Sequence, residues 1–363
     1  MLHVAHFRKA AKYSSPIGGR SFEKNNLAVI IPSKAVLESN FCDVYQISDV
    51  FENFTVDNPE GLVFTHLSEG IGDIVALSSL VAYLATMDKE INIHVSKKMW
   101  PVFEMYETNN YRLKEFSAPI VRNFSLATRL SGFDMKRIPL EWSVTNGGRK
   151  NWYKIYFSKI GLTHVPSEYM RPRLFTGFLK AEYEGMKEFE PNSVLICHKS
   201  SCQIRSSSLM DFYIALRESM PHLIYSVHKR DCTPEEIEFA IQNGIELLNT
   251  DSIEDYMSNV ATFPLVVSTD TAAIHIREGL ERPALGVYGA FSIEARTKGY
   301  KYTHSFNVKT GCEFQPCFKH QRKAEDRCQK YTGVETAPCQ SGEKFRDQLR
   351  AEFVKYYLKI KKQ

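Results

Sequence analysis

The chain has 363 residues, of which 43% are apolar and 24% are charged, and its formal net charge is +4. This length fits two domains of ordinary size, and the composition is that of a folded protein rather than a disordered one. The weak positive charge does not demand a nucleic-acid or membrane partner. Basic clusters at 319–323 and 355–362 are interpreted as solvated surface, with a binding patch as the alternative.

The N-terminal sequence MLHVAHFRKAAKY lacks the unbroken apolar core of a signal peptide. No apolar run is long enough for a transmembrane segment. We therefore expect a cytoplasmic protein whose cysteines are mostly reduced.

Short apolar runs at 27–32, 62–67 and 91–95 predict buried strands. Residues 74–87 are apolar at helical spacing and predict a helix. A strand, a glycine turn, a helix and a strand in this order form a βαβ unit, which indicates a parallel sheet. The first 60 residues are predicted to be a modest α/β start. The less periodic stretch 105–175 is predicted to end the first domain, with a helix near 152–160 and a linker near 169–190.

The second half predicts another α/β set, with strands at 194–197, 223–227, 265–268 and 284–288, and helices at 209–219, 234–243, 272–280 and 343–360. The predicted fold class is α/β, with two Rossmann-like domains facing across a cleft and a C-terminal helix. The predicted boundaries are 1–180, 190–345 and 346–363. Ligands bind at the carboxyl ends of the strands in such sheets, so a two-substrate reaction is expected there.

The segment SEGIGD, residues 68–73, lies between a predicted strand and a predicted helix. Its glycines, Gly72 among them, permit a tight turn and the close approach of a ligand. The helix N-terminus offers free N–H groups and the positive end of a dipole. Asp73 is either a helix cap or a catalytic carboxylate, and the segment alone does not decide. The third glycine of the dinucleotide fingerprint is missing, which disfavours NAD.

A second candidate segment is VVSTDTAAIH, residues 266–275, where a strand ends and a helix begins. This helix start suits a diphosphate, and Thr271 with the amides of Ala272 and Ala273 can donate to phosphate oxygens. Asp270 has a competing interpretation as a helix cap, and His275 as a buried structural histidine.

The segment HKSSCQIR, residues 198–205, follows the first strand of the second set. Lys199 and Arg205 are candidate cations for a leaving nucleoside diphosphate, and a solvated loop is the alternative. The chain has no P-loop motif and no nucleophile elbow, which disfavours a P-loop kinase and an α/β-hydrolase. It also lacks an Asp-x-Asp sequence, so a metal-clamped diphosphate of that pattern is not indicated.

Four cysteines, Cys312, Cys317, Cys328 and Cys339, fall in one short segment that is predicted to be loop-like. The first spacing, C-x4-C, is within the range of zinc ligands, and His320 is a competing ligand. A structural zinc site is one interpretation, and reduced packing cysteines or a disulfide pair are the others.

These motifs together resemble the heptosyltransferase-like glycosyltransferase family nine. GIGDIVALSSLVAYL resembles that family's N-terminal G-D motif, and VVSTDTAAIHIREGLERPALGVYGAF resembles its DTG-x-x-H motif more closely. NWYKIYFSKIGL resembles the segment before the interdomain linker. The resemblance covers roughly residues 62–305 and implies a GT-B fold and an inverting sugar transfer without a metal cofactor.

By this resemblance, Asp73 matches the catalytic aspartate, and Thr271, Ala272 and His275 line the donor diphosphate. Arg205 stands near the family's usual phosphate-contacting lysine. The chain departs from the pattern at Ala273, where glycine is usual, and at Tyr288, where phenylalanine is common.

The implied partners are a nucleotide-diphosphate sugar and a glycan acceptor in lipopolysaccharide or surface polysaccharide synthesis. A modified pyrimidine in bacteriophage DNA is the alternative acceptor, which the basic segments would then contact. A nucleotide-sugar-binding protein without turnover, or an epimerase of the same fold, remain further alternatives.

Overall fold

The computed structural model describes residues 70–87, 91–115, 151–159, 164–176, 190–200, 203–313, 315, 317, 328 and 337–362, and the strand segments 3–7, 11–15, 18–22, 27–30, 42–46, 62–65 and 137–139. The chain divides into two compact units. The first unit comprises 1–68, 88–98 and 110–141, and the second comprises 69–87, 99–109 and 142–363.

The first unit begins with five short strands, β1 His3–Phe7, β2 Ala11–Ser15, β3 Gly18–Phe22, β4 Leu27–Ile30 and β5 Cys42–Gln46. β1 pairs antiparallel with both β4 and β5, and β2 pairs antiparallel with β3. The described residues of this region form antiparallel strands, and β4 confirms the strand that the apolar run 27–32 predicts. The predicted α/β start stays a prediction, because the segments between these strands lie outside the described residues. The runs of these strands are short and rich in polar residues, so only β4 stands out as an apolar run.

The second sheet of this unit contains β6 Leu62–Thr65, β7 Ile91–Val95, β8 Tyr111–Glu115 and β9 Arg137–Pro139. The order is β8-β7-β6-β9 and every pair is parallel, with Leu62 opposite Ile91 and Ile91 opposite Tyr111. The predicted parallel βαβ arrangement is confirmed. β8 and β9 were not predicted because their charged residues interrupt the apolar pattern.

The second unit is built on a six-stranded parallel sheet in the order β12-β11-β10-β13-β14-β15. Its strands are β10 Ser193–Cys197, β11 Ile224–His228, β12 Glu246–Leu248, β13 Leu265–Thr269, β14 Ala284–Tyr288 and β15 Thr303–Asn307. β10, β13 and β14 are buried along their whole length, as expected for central strands of a parallel sheet covered on both faces. This doubly wound sheet confirms the Rossmann-like prediction.

Among the described residues, the helices of the second unit are α1 Ile71–Ala85, α2 Trp100–Phe103, α3 Trp152–Lys159, α4 Leu209–Ser219, α5 Pro234–Gln242, α6 Ile253–Thr262, α7 Ala272–Gly279, α8 Ile293–Arg296 and α9 Glu343–Ile360. α5 and α6 begin with capping boxes, Thr233 with Glu236 and Ser252 with Asp255. α6 was not predicted, although the Ser252–Asp255 spacing in the sequence is typical of a capping box at a helix start.

Helix α9 closes the second unit and has the bounds that its amphipathic pattern predicts. It buries five side chains along one face, namely Phe345, Leu349, Phe353, Tyr356 and Tyr357. The ring of Phe345 lies 5.7 Å from that of Phe212 on α4. Fully burying one such side chain contributes roughly 1.5–3 kcal/mol, so α9 is an integral part of this core. No helix in the described part of the chain is long and apolar enough to span a bilayer.

Candidate functional site

Helix α1 begins at the glycine-rich segment. Gly70 is its N-cap, and the amide of Asp73 donates to the Gly70 carbonyl at 3.1 Å. Asp73 therefore lies in the first turn and is not the N-cap residue. The capping interpretation of Asp73 loses its main support, although a carboxylate in a first turn still interacts favourably with the helix dipole.

Helix α7 begins where β13 ends. Thr271 is its N-cap, and its Oγ1 accepts from the amide of Ala273 at 3.2 Å. Ser268 Oγ lies 2.7 Å from the same hydroxyl oxygen. The hydroxyl of Thr271, and not the carboxylate of Asp270, therefore caps α7, which differs from the capping alternative for Asp270. Asp270 is available for another role.

The starts of α1 and α7 are in contact. A Cβ atom on Gly72 would lie 3.2 Å from His275 Cδ2 and 3.4 Å from Ala272 Cα. Glycine therefore suits this approach, because even a methyl group here would require His275 or the α7 backbone to shift by a few tenths of an ångström. Two motifs that are about two hundred residues apart in the sequence thus present their helix N-termini and their positive dipole ends together.

We expect Gly72→Ala to lower about tenfold any ligand affinity and activity that depend on the two contacting helix starts, and Gly72→Val to lower them further, because 3.2 Å is tighter than ordinary carbon packing. A rate and affinity series across Gly, Ala and Val checks this. Equal activity in all three proteins would contradict the close approach, and a parallel loss of thermal stability would show a general packing defect instead.

Asp270 lies between two arginines. Its Oδ2 is 3.9 Å from Arg205 Nη1 and 3.9 Å from Arg296 Nε. Arg205 Nη1 also donates to the Asp270 carbonyl at 3.4 Å. Arg296 is only 4% exposed, and its guanidinium lies 3.8 Å from the centre of the Phe291 ring. One carboxylate is shared by two guanidinium groups, so these three side chains together carry net positive charge at the start of α7.

Tyr288 lies beside this cluster at the end of β14. It is fully buried, and its hydroxyl has no hydrogen-bond partner among the described residues. Burial and the Asp270 carboxylate raise the pKa of Tyr288, and Arg296 and Arg205 oppose them. A neutral hydroxyl therefore lies within electrostatic range of both arginines. Tyrosine stands here where the family motif commonly has phenylalanine, and its hydroxyl adds a polar group at this position.

Tyr156 on α3 lies close to both Asp73 and Arg296. Tyr156 is fully buried, and its hydroxyl donates to the Asp73 carbonyl at 3.4 Å. Burial and Asp73 raise the pKa of Tyr156, and Arg296 lowers it. The structure therefore brings Asp73, the cations and the α7 start into one neighbourhood.

His275 is buried within this neighbourhood. Its Nδ1 lies 2.7 Å from Tyr300 Oη, which lies 2.6 Å from Tyr153 Oη. Burial lowers the pKa of His275 well below its usual range, and Arg296 and Arg205 lower it further. The imidazole is therefore neutral at physiological pH. A buried and satisfied histidine and a ligand-binding one are both compatible with this geometry.

Lys199 is paired with Glu236, with Nζ 3.7 Å from Oε2. His198 Nε2 lies 3.4 Å from the other carboxylate oxygen. Burial raises the pKa of Glu236, but hydrogen bonds from His198 and from the Leu209 and Thr233 amides outweigh it and lower this pKa to about 2. Lys199 therefore has an acidic partner, whereas Arg205 lies at the α7 start.

The sequence did not point to His228, which ends β11. It is fully buried, and its Nδ1 lies 2.8 Å from Thr250 Oγ1. Burial, Arg230 and His198 lower the pKa of His228 to about 4. Together with His198 it places polar rings at the carboxyl ends of adjacent strands, which is where ligands bind in such sheets.

The four clustered cysteines carry free thiols. Burial and neighbouring thiols raise the pKa of Cys317 to about 11 and of Cys339 to about 12. The thiols are thus within electrostatic range of each other. Even so, no three His, Cys, Asp or Glu side chains of the described part of the chain are arranged to hold a metal ion. The zinc site stays a prediction, and its competing ligand His320 lies outside the described residues.

The doubly wound parallel sheet of the second unit gives the protein a Rossmann-like fold of the GT-B type. Residues 228–327 match the model of glycosyltransferase family 9 (heptosyltransferase). Over this segment the chain is similar to the heptosyltransferases of that family. The matched residues include the start of α7, Asp270 and Arg296, so the resemblance that the motifs indicated is confirmed for this segment.

Solved structures share the fold at low sequence identity. The iron-containing dodecameric glycosyltransferase TibC from enterotoxigenic E. coli H10407 is 10% identical, with a TM-score of 0.56, over 93% of this chain and 86% of that one. A TibC complex with ADP-D-beta-D-heptose is 9% identical, with a TM-score of 0.53, over 99% and 91%. The family 9 glycosyltransferase from Veillonella parvula DSM 2008 is 9% identical, with a TM-score of 0.52, over 84% and 99%. No curated protein matches the sequence.

Proposed function

We propose that this glycosyltransferase transfers a hexose or heptose from a nucleoside-diphosphate sugar to an acceptor hydroxyl, with inversion and without a catalytic metal. The observation that carries the proposal is the contact between the α1 and α7 starts at Gly72, beside Arg205 and Arg296. Helix N-termini and arginines are preferred partners of phosphate oxygens. This arrangement suits a diphosphate leaving group.

An adenosine diphosphate is the favoured carrier, because TibC is described in complex with ADP-D-beta-D-heptose. The acceptor is proposed to be a glycan of lipopolysaccharide or surface polysaccharide synthesis, in keeping with the heptosyltransferase family match. We also propose that the protein works in the cytoplasm, and that the donor and acceptor domains divide near residues 180–190. A modified pyrimidine in DNA stays the alternative acceptor.

In the proposed step, the acceptor oxygen attacks the anomeric carbon of the donor. Its proton passes to the carboxylate of Asp73 as the new carbon–oxygen bond forms. The bond between the anomeric carbon and the phosphate oxygen breaks, and the diphosphate leaves with the electron pair. The amides at the α7 start, with Arg205 and Arg296, stabilise that negative charge. Attack from the face opposite the leaving group inverts the anomeric centre.

In this proposal the donor-site residues differ in how directly they contact the diphosphate. The first-turn amides of α7, including Ala272, donate to phosphate oxygens. The amide of Ala273 already bonds to Thr271 Oγ1, so Thr271 acts by capping the helix as well as by facing the ligand. Lys199 is assigned a peripheral role, because Glu236 partly neutralises it.

A thermal-shift screen with ADP-, GDP-, UDP- and CMP-sugars tests the proposal. Binding to the native state raises Tm by mass action, so one nucleotide should stabilise the protein selectively. Arg296→Met should weaken that nucleotide about 10–100-fold, because a charge-assisted hydrogen bond contributes about 1.5–3 kcal/mol. Arg230→Met, an exposed arginine, is the matched control.

No stabilisation by any nucleotide sugar would contradict the proposed function. Equal affinity in Arg296→Met and the wild type would remove Arg296 from the site. Donor consumption without an acceptor would indicate epimerase or hydrolase chemistry, and transfer to hydroxymethylated DNA would establish the alternative acceptor. An unchanged rate in the presence of EDTA is expected, and its loss would contradict metal-independent transfer.

A further inference from the structure

Two buried tyrosine hydroxyls form a hydrogen-bonded chain that ends on His275. Tyr153 Oη lies 2.6 Å from Tyr300 Oη, and Tyr300 Oη lies 2.7 Å from His275 Nδ1. The rings of His275 and Tyr300 meet edge to face, with their centres 5.9 Å apart. The three residues come from α3, from the turn before β15, and from α7, so the chain joins segments that are remote in the sequence.

His275 and Tyr300 are both neutral in the folded protein. Burial raises the pKa of Tyr300, and Tyr153 raises it further. Burial lowers the pKa of His275, and Arg296 and Arg205 lower it further. A neutral imidazole has one N–H, so one ring nitrogen donates and the other accepts. The partner of Nδ1 therefore determines what Nε2 can do.

The contacts of the His275 ring indicate which edge of the ring carries Nε2. Cδ2 is the His275 atom nearest to the Cβ position of Gly72, at 3.2 Å. Nε2 is bonded to Cδ2, so it lies toward the start of α1, whereas Nδ1 is on the other side of the ring with Tyr300. An anionic diphosphate at the contacting helix starts requires an N–H on that side.

We propose that Tyr300 and Tyr153 are positioning residues that hold His275 as the Nε2–H tautomer. Tyr153 donates to Tyr300, and Tyr300 donates to Nδ1, so the remaining proton stays on Nε2 and donates to the donor diphosphate. This proposal rests on the proposed function for the identity of the ligand. The tautomer itself is a property of the ligand-free protein.

A preset tautomer has a physical advantage in a buried site. Chains of hydrogen bonds polarise one another, so the Tyr153 hydroxyl strengthens the bond from Tyr300. The imidazole then donates to an anion without being protonated, and no rearrangement is needed when the diphosphate binds. Without the Tyr300 hydroxyl, Nδ1 loses its donor and the two tautomers become closer in energy.

Nitrogen-15 NMR of the full chain, labelled in histidine, tests the tautomer directly. At neutral pH the wild-type His275 should show a protonated Nε2 and an unprotonated Nδ1. In Tyr300→Phe the two nitrogen shifts should move toward each other, as the tautomers mix. A protonated Nδ1 in the wild type, or unchanged shifts in Tyr300→Phe, would overturn the proposal.

Titration with ADP, or with the nucleotide that the screen identifies, tests the consequence. Tyr300→Phe should weaken binding about tenfold, as expected for one hydrogen bond to a buried group. Tyr153→Phe should weaken it about threefold, and Tyr302→Phe, a half-buried neighbour outside the chain of hydroxyls, should have no effect. The loss should appear in KM and in ADP affinity more than in kcat.

The outcomes separate the two proposals. If the wild type binds no nucleoside diphosphate, the proposed function fails, but the NMR measurement still decides the tautomer. If Tyr300→Phe does not fold, Tyr153→Phe provides the same comparison with a smaller expected effect. Wild-type affinity in a folded Tyr300→Phe protein would overturn the positioning role.

Discussion

Asp73→Asn is expected to lower the rate of sugar transfer about 10²–10⁴-fold, while donor binding and folding persist. An amide has nearly the shape of the carboxylate but cannot accept the acceptor proton, and a positioned general base contributes about this factor. The loss should appear in kcat, because in the proposed site donor affinity depends on the α7 start and on the arginines. Initial rates under donor saturation, with calorimetric donor affinity, provide the measurement.

Glu254→Gln is the matched control for Asp73→Asn. Glu254 is an exposed carboxylate in the first turn of α6, so its replacement removes the same type of charge from the same type of position. It should keep full activity. Near-normal turnover in Asp73→Asn would remove Asp73 as the base, and loss of donor affinity in that variant would assign it to donor binding instead. The anomeric configuration of the product, read by NMR, tests inversion separately.

Arg277→Met is expected to destabilise the second unit by about 3–5 kcal/mol, which is the usual cost of breaking a buried charged network. Arg277 is fully buried in α7 and donates to five carbonyl groups, those of Val260, Ala261, Phe263, Pro264 and Pro283, at 2.7–3.2 Å. Burial lowers its pKa to about 9, which still leaves the guanidinium charged at neutral pH. Methionine fills similar space but leaves these carbonyls without their donor.

The hydrogen bonds of Arg277 also support the candidate functional site. Arg277 holds the end of α6 and the start of β14 against the helix whose N-terminus carries Thr271 and His275. A fall in Tm on the order of 10 °C is therefore expected together with weaker donor binding. Arg282→Met, at an exposed arginine in the next turn, should change neither. Wild-type stability in Arg277→Met would show that the carbonyls find other partners.

The sequence predicted the elements whose apolar pattern is long or unbroken. The amphipathic run 343–360 forms α9 with those bounds, and the apolar runs of β10, β13 and β14 lie at the centre of the second sheet. The missed elements have weaker patterns. β15 reads THSFN, and α6 has polar residues at half of its positions, so packing against the sheet, and not local propensity, stabilises them.

The sequence identified candidate site residues where a motif places several of them in one short segment. Gly72, Asp73 and the Thr271–His275 run were all named from the sequence, and the structure places them at two contacting helix starts. Their assigned roles stay predictions. Arg296 and Tyr300 were not named, because each lies in a segment whose local pattern resembles an ordinary loop or a short helix.

The sequence by itself determined the class of fold and the two motifs, because strand–glycine–helix junctions depend on local backbone freedom and apolar spacing. It could not decide whether Asp73 is a helix cap or a base, since a carboxylate near a helix start suits both roles. Only the tertiary structure brought the α1 and α7 starts together and joined Tyr300 to His275. Those contacts depend on side chains from separate parts of the chain, whose meeting is determined by packing and has no signature in any one segment.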